Sequence, residues 1–348
     1  MIAFAENTFI PLDEYIAQCN THYYGARDSI GGIGDFITAP EITQMFGEVL
    51  GAWVISRWVQ MGRPTPFQLI ELGPGKGTLM ADVLRVLRQH PDIYAAVHIH
   101  LVETSPKLRA AQKQSLREFM PPVMWHDDIK HIPTAPFILL ANEFFDALPI
   151  RQFVYTMAGW QERGVRLQNE KLTWASREIP ESEPPPLPRH LPTPVPGNMI
   201  ETCPAMTTVL QTLAARMEQH PASALIIDYG YAVQNYGDTF QAVSQHQYAD
   251  PLAQPGHQDL TAHVNFAEIE QFGAARGLQT AGPKGQGEFL INIGLQVRAE
   301  KLIAQSPAPE DKLEVIEAAY RLTSSDEMGT LFKVICLSSL YLPPPEGF

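Results

Sequence analysis

The segment of this 348-residue chain best suited to chemistry is Glu71-Leu72-Gly73-Pro74-Gly75-Lys76-Gly77-Thr78. It lies between an apolar run and a helical pattern. Glycines at 73, 75 and 77 let a backbone loop approach a ligand without Cβ clashes. At the carboxyl end of a strand, such a loop stands where open α/β sheets bind ligands. The spacing is not the dinucleotide form, because Thr78 stands where its last glycine would be. A P-loop is excluded too, since Lys76 is not followed by Ser or Thr at the required spacing. An acid at 71 would repel phosphate and attract a cation. S-adenosylmethionine carries both a sulfonium and an ammonium, so Glu71 suits a methionyl moiety better than a pyrophosphate. The plainer alternative is a tight turn in which Glu71 caps nearby amides.

Further acids follow at the ends of later apolar runs. Glu103 closes VHIHLVE, where a carboxylate accepts from both ribose hydroxyls of a nucleoside. It fits NAD and S-adenosylmethionine equally, and a solvated strand-end acid is the alternative. Asp127 and Asp128 follow PVMW, placed to touch an adenine amino group or to form an Asx turn. The run FILLAN ends in Asn142-Glu143-Phe144-Phe145-Asp146, where a doubly wound transferase holds its acceptor. An arginine acceptor would need carboxylates here, because its guanidinium is always protonated and must be oriented and relieved of a proton. Glu143 is the candidate for that work with Asn142 beside it, and Asp146 either assists or caps a following helix.

Three other clusters are open to two readings. Gly31 to Phe36, with Asp35, is a cover over the cofactor or a helix lead-in. Gly256 to Val264, with His246, His257 and His263, lacks any metal-ligand spacing and reads as loop histidines; no metal is expected. Gly282 to Gly287 reads as a turn before a helix near Glu288.

The elements that must position these groups are apolar, strand-sized runs at 67–72, 97–103, 122–125, 137–142, 224–229 and 331–337. Between the first two, Leu79, Val83, Val86 and Leu87 repeat at helical spacing. Ser105-Pro106 supplies a cap and first-turn proline for another helix. Strands alternating with helices imply a doubly wound, mostly parallel α/β sheet covered on both faces. Upstream, Thr38-Ala39-Pro40-Glu41 has the capping-box form and opens a helix with Ile42, Met45, Phe46, Val49, Leu50 and Trp53 on one face. Asn265 with Glu268 marks a similar start. Residues 152–178 alternate apolar and polar between turns at Gly159 and Asn169, an antiparallel meander outside the main sheet. The segment 180–196 holds eight prolines and must be an extended connection. The expected organisation is a helical cover over 1–62, core over 63–150, an inserted small lobe over 151–200, and core again over 201–348 with a lid or substrate insert near 231–264.

Composition bounds the rest. A net charge of −13 is the wrong sign for a general nucleic-acid binder and offers no basic face to acidic lipid. No apolar run approaches the ~20 residues of a membrane span. Cys19, Cys203 and Cys336 are too scattered for a disulfide frame or zinc site and suit a reducing compartment. The first basic residue is Arg27, so neither a secretory signal nor an organelle presequence is expected and the location reads as cytoplasmic.

Taken in order, GDFITAPEITQMFGE (34–48), ELGPGKGTL (71–79), VETSPKLR (102–109), ANEFFDALP (141–149), IIDYG (226–230) and DLTAHVNF (259–266) resemble the MidA-type family of S-adenosylmethionine-dependent methyltransferases. The likeness runs from about residue 10 to 340, and GDFITAPEI with ANEFFDALP is far more specific than the glycine motif. Mitochondrial members of the family are assembly factors for respiratory complex I. The resemblance implies a class I, Rossmann-like methyltransferase fold and symmetric dimethylation of an arginine on the 49-kDa-type subunit of complex I. It implies that Glu71, Gly73, Gly75 and Gly77 form the methionyl loop and that Glu103 binds ribose. Glu143 would then sit at the acceptor, and the segment around Asp35 would cover the cofactor. Ile33 departs from the pattern, since a second glycine is expected before Asp35. With no presequence the chain reads as a bacterial member. Competing readings are a non-catalytic, cofactor-binding assembly chaperone and a methyltransferase acting on a small molecule. A nicotinamide dehydrogenase ranks last, for want of GxGxxG.

Overall fold

The computed structural model describes residues 2, 4–26, 38–179, 185, 191–244 and 247–348. Strand β1 (Phe9–Pro11) and helix α1 (Leu12–Ala26) come first, then the short α2 (Ala39–Ile42) and α3 (Gln44–Gln60). Strand β2 (Phe67–Leu72) leads through the glycine loop to α4 (Thr78–Leu87), α5 (Pro91–Ala96) and β3 (Val97–Val102). Helix α6 (Pro106–Ser115), β4 (Val123–His126) and β5 (Phe137–Asn142) follow. Next are β6 (Arg151–Thr156), β7 (Gly159–Gln168), β8 (Lys171–Glu178), β9 (Met199–Thr202), α7 (Pro204–Met217) and β10 (Ala222–Tyr231). Short strands β11 (Gln241–Ser244), β12 (Gln247–Ala249), β13 (Asp259–Thr261) and β14 (Val264–Asn265) precede α8 (Phe266–Ala275) and β15 (Gln279–Gly285). Helices α9 (Gln286–Asn292), α10 (Leu295–Gln305), α11 (Pro309–Thr323) and α12 (Met328–Leu331), with β16 (Phe332–Ser338), complete the order.

These elements form two compact units, the larger from 37–144, 210–232 and 266–348, the smaller from 1–36, 145–209 and 233–265. In the larger, strands run in the order β15-β16-β10-β5-β2-β3-β4. From β10 to β4 every pairing is parallel, whereas β16 is antiparallel to both β10 and β15. Strands β2 and β5 are buried along their whole length, so apolar side chains fall on both faces rather than alternating, with Gln68 and Glu71 the polar exceptions in β2 and Asn142 ending β5. The core sets Phe46, Trp53 and Leu84 of the helices with Leu69, Ile99, Leu140, Leu225 and Val334 of the sheet. Strand order reverses between β2 and β5, which makes the carboxyl ends of those two strands the crevice of the sheet.

The smaller unit is antiparallel throughout its named pairings. One sheet has the order β1-β7-β6-β9 with β8 beside β7, and another the order β12-β11-β13. The meander read from 152–178 is β6-β7-β8, turning at 157–158 and 169–170. Helix α1 packs Leu12, Tyr15, Ile16 and Cys19 against Ile150, Val165, Ala242 and Leu260.

Two expectations change. The Thr38 capping box does not form, and Thr38 makes no side-chain cap. Glu41, which should reach back to it, instead accepts from Thr78 Oγ1 at 2.5 Å. The expected single helix is broken at the extended Thr43, whose Oγ1 accepts from Met45 N at 3.3 Å and starts α3. Gly282 to Gly287 is not a turn: residues 279–285 are strand β15, irregular between Ala281 and Lys284, with helix α9 beginning at Gln286. Among the described residues no helix is long and apolar enough to cross a membrane.

Candidate active site

The loop after β2 is built by three left-handed glycines, with φ of 61° at Gly73, 51° at Gly75 and 83° at Gly77. Other residues adopt that conformation only under strain. The loop is also closely packed, since a Cβ on Gly73 would lie 2.9 Å from Phe144 Cδ2 and one on Gly77 3.4 Å from Gln112 Cα. Gly77 caps α4, and its N–H donates to Pro74 O at 2.7 Å, closing the turn.

Glu71 stands at the end of β2, 3% exposed, and its Oε2 has no hydrogen-bond partner among the described residues. Burial raises its carboxyl to about 8. A buried acceptor of this kind is costly unless a donor reaches it. Across the crevice Asn142 at the end of β5 is 9% exposed, and its Oδ1 likewise has no partner. Two unpaired acceptors at neighbouring strand ends, beside a loop stripped of Cβ atoms, fit a donor-rich cation such as the methionyl end of S-adenosylmethionine.

Glu103 follows β3. Its Oε1 accepts from Ser105 N at 2.7 Å and its Oε2 from Gln112 Nε2 at 3.3 Å. Burial raises its carboxyl, and these hydrogen bonds with the charge of Arg109 oppose the rise. Ser105 caps α6 by accepting from Leu108 N, as its sequence position suggested. Arg109 donates to Glu103 O and to Asp127 Oδ1, both at 2.7 Å, and so clamps the ends of β3 and β4 together. Asp128 accepts from Lys130 N at 2.9 Å and starts a single 3-10 turn over Ile129–His131. Behind them His100 and His126 stack, with Nδ1 of the first 2.9 Å from Nε2 of the second. Burial and the neighbouring imidazole lower His100 to about 4, so it is neutral at physiological pH.

Glu143 has φ of 50°, a left-handed backbone on a residue that pays for it in strain. The conformation is held from two sides. Its N–H donates to Ile227 O at 2.9 Å, and the next N–H, of Phe144, donates to Asp228 Oδ2 at 3.2 Å. Its Oε1 accepts from Ala39 N at 3.0 Å and from Asn142 Nδ2 at 3.1 Å, which fixes the carboxylate plane. Helix α2 therefore touches both halves of the crevice, Ala39 at Glu143 and Glu41 at Thr78.

The structure thus brings together Glu71, Gly73, Gly75, Gly77, Glu103, Asn142 and Glu143 in the larger unit, with Asp127 and Asp128 at the end of β4. Asp35 lies outside the described residues, as does His246. Asp146 belongs to the smaller unit and caps no helix, because the chain turns at 145–148 and enters β6. Three residues have positioning roles that the sequence reading did not assign them. Gln112 is fully buried on α6; it donates to Gly75 O at 2.7 Å as well as to Glu103, and its Oε1 accepts from Trp125 Nε1 at 2.9 Å. Its signal was a polar residue on the inward face of α6, one turn after Leu108. Asp228 is 0% exposed and is the next-to-last residue of the run ALIIDY, a buried acid that its neighbours alone could have betrayed. Glu41 was read only as a cap.

A glycine loop after the first core strand, acids at the ends of the next strands and an antiparallel final strand define a class I methyltransferase fold. A family model for S-adenosyl-L-methionine-dependent methyltransferases matches residues 49–284. A Drosophila melanogaster protein named protein arginine methyltransferase NDUFAF7 homolog, mitochondrial, is 37% identical over 94% of this chain and 81% of its own. The human protein arginine methyltransferase NDUFAF7, mitochondrial, is 33% identical over 94% and 80%. A crystal structure from Burkholderia thailandensis, bound to S-adenosyl-homocysteine, superposes with a TM-score of 0.82 at 27% identity, covering 97% of this chain and 90% of that one. The chain belongs to the S-adenosylmethionine-dependent methyltransferase family and is an enzyme of that class.

Proposed function

We propose that this chain methylates a protein arginine, by symmetric dimethylation of a 49-kDa-type subunit of respiratory complex I in support of its assembly. The carrying observation is the end of β5, where Glu143 is strained and pinned so that its carboxylate faces a fixed direction beside Asn142 Oδ1, which has no partner among the described residues. The names of the fly and human relatives support the arginine acceptor. S-adenosylmethionine supplies an electrophilic methyl on a leaving group that departs as a neutral thioether. What the chain adds is alignment. Glu71 and the glycine loop hold the cationic end of the donor, and Glu103 takes the ribose, with Asp127 and Asp128 near the adenine. Glu143 accepts from the guanidinium and orients one nitrogen for in-line attack, taking up the proton that the attacking nitrogen must shed. The insert near residues 231–264 serves the acceptor. Cys19, Cys203 and Cys336 form no disulfide, in keeping with action in a reducing cytoplasm.

The test uses labelled donor and an extract of cells lacking this protein, with purified wild type and Gly75→Val side by side. A labelled protein band with the wild type alone, carrying dimethylarginine by mass spectrometry, is the expected result. Label confined to small metabolites would overturn it.

A further inference from the structure

Strands β15 and β16 are antiparallel neighbours, which a two-residue turn could join. The chain instead places four helices between them, α9 to α12, over residues 286–331. The sheet does not require that insertion, so what the insertion exposes has another cause. Six of the fifteen large apolar side chains exposed among the described residues lie in it: Ile291, Val297, Leu313, Ile316, Tyr320 and Leu331.

Three of the six belong to α11. Leu313, Ile316 and Tyr320 are each half exposed or more, and at i, i+3 and i+7 they form one stripe. The inward side of α11 is a different set. Leu322 is fully buried, and Val315, Ala318 and Ala319 pack against the core. A surface helix ordinarily turns a polar face outwards, whereas α11 carries a second apolar one. Nor is the helix free to roll. Gly287 of α9 and Gly329 of α12 approach Thr323 O so closely that a Cβ on either would collide with it. Gln286 Nε2 donates to Leu322 O at 3.0 Å. Arg298 of α10 makes a two-pronged pair with Glu48 of α3, at 2.7 and 3.0 Å, and fastens the insertion to the core.

The stripe has the spacing of a helical seam, with Leu313 and Tyr320 at a positions and Ile316 at d. Its flanks are then Lys312 at g and Glu310 and Glu317 at e, all exposed. In a parallel pair, a g side chain faces the e side chain five residues further along the other helix. Two copies of α11 set side by side therefore match Lys312 with Glu317 of the second copy, once on each edge of the apolar seam. Antiparallel, the Glu310 and Glu317 flank would meet itself and repel. The complement that this stripe needs is thus carried by the stripe, which favours a second copy over an unlike protein. We infer that α11 is a self-association surface, on which two copies of this chain pair about a two-fold axis parallel to the helix. With two turns on each side the dimer is weak, with a Kd on the order of 10 μM. The inference does not rest on the arginine reading.

The experiment is sedimentation velocity on the full chain from about 1 to 100 μM, with melting temperature and donor affinity as controls. The wild type is expected to pass from monomer to dimer across that range. Ile316→Glu should stay monomeric throughout, with melting temperature unchanged and donor affinity held within about twofold. Lys312→Glu and Glu317→Lys should each weaken the dimer by about tenfold, because each sets like charges opposite one another at both edges, and the double reversal should restore it. A wild type that is monomeric at every concentration overturns the inference and leaves the stripe to an unlike partner. A dimer that survives Ile316→Glu overturns it too, since that dimer uses another surface. If Ile316→Glu fails to fold, the charge reversals at exposed side chains decide, and a double reversal that does not restore the dimer sinks the pairing.

Discussion

The two banks of the crevice solve one geometric problem in opposite ways. After β2 the chain must turn left-handed, and it does so three times on glycine, at little cost. After β5 it must turn left-handed once, and there it uses Glu143. A glycine would be easier to fold but would carry no carboxylate. The glycine bank is thus relaxed and shaped by what is missing from it, whereas the Glu143 bank stores strain to keep one carboxylate in place. Strain retained against an easy alternative marks the residue that chemistry needs.

The contrast can be broken at either bank. The largest effect is expected from Gly75→Val, since a branched side chain at φ 51° is sterically disfavoured; donor affinity should fall on the order of a hundredfold in a calorimetric titration. Next is the pH response of Glu71, whose carboxyl is raised from 4.5 to about 8. A cationic donor needs it ionised, so affinity should climb by about tenfold per unit as pH rises from 6 towards 8, with proton release, and Glu71→Gln should flatten the curve. The sign for stability is the reverse. Without donor the folded chain holds a proton that the unfolded chain has lost between 4.5 and about 8, so this contribution is full below 4.5 and disappears as pH rises through about 8. A donor-free melting curve that does not weaken over that range would contradict the burial of Glu71.

Gln112→Leu removes the hydrogen bonds that tie Gly75 O and Glu103 Oε2 to α6 and strands the Trp125 N–H. Donor affinity should drop by about tenfold, with a smaller loss in melting temperature. The smallest effect sharpens the contrast most. Glu143→Gly and Glu143→Ala both delete the carboxylate, but only alanine keeps the strain. The glycine variant should be the more stable by about 1 kcal/mol in denaturant titration, with both equally poor in transfer.

Much of the larger unit could be read directly, because strands buried on both faces have to be mainly apolar and helices between them have to be amphipathic. All six runs singled out in the sequence are strands of the main sheet. Strand β15 escaped notice because its sequence, QTAGPKG, has the composition of a turn, and it is extended only through pairing with β16. The Thr38 box failed for a related reason: a distant hydroxyl, Thr78, outcompeted the local amide for Glu41. At the site, the glycine loop declared itself through residue type. The left-handed Glu143 did not, since nothing in a glutamate's neighbours announces a positive φ imposed by Ile227 and Asp228. Gln112 was hidden in the same way, as a residue whose importance lies in what converges on it.

One four-residue helix remains to be considered as a joint. Because α2 grips Glu143 through Ala39 and the start of α4 through Glu41, whatever shifts that turn is felt at both banks and, on the proposed reading, by both ligands. Thermodynamic linkage then demands symmetry: if bound donor tightens the hold on acceptor by some factor, bound acceptor tightens the hold on donor by the same factor. Glu41→Gln weakens one end of that joint. Its signature is loss of cooperativity, with each ligand binding alone much as before and the pair no longer helping each other.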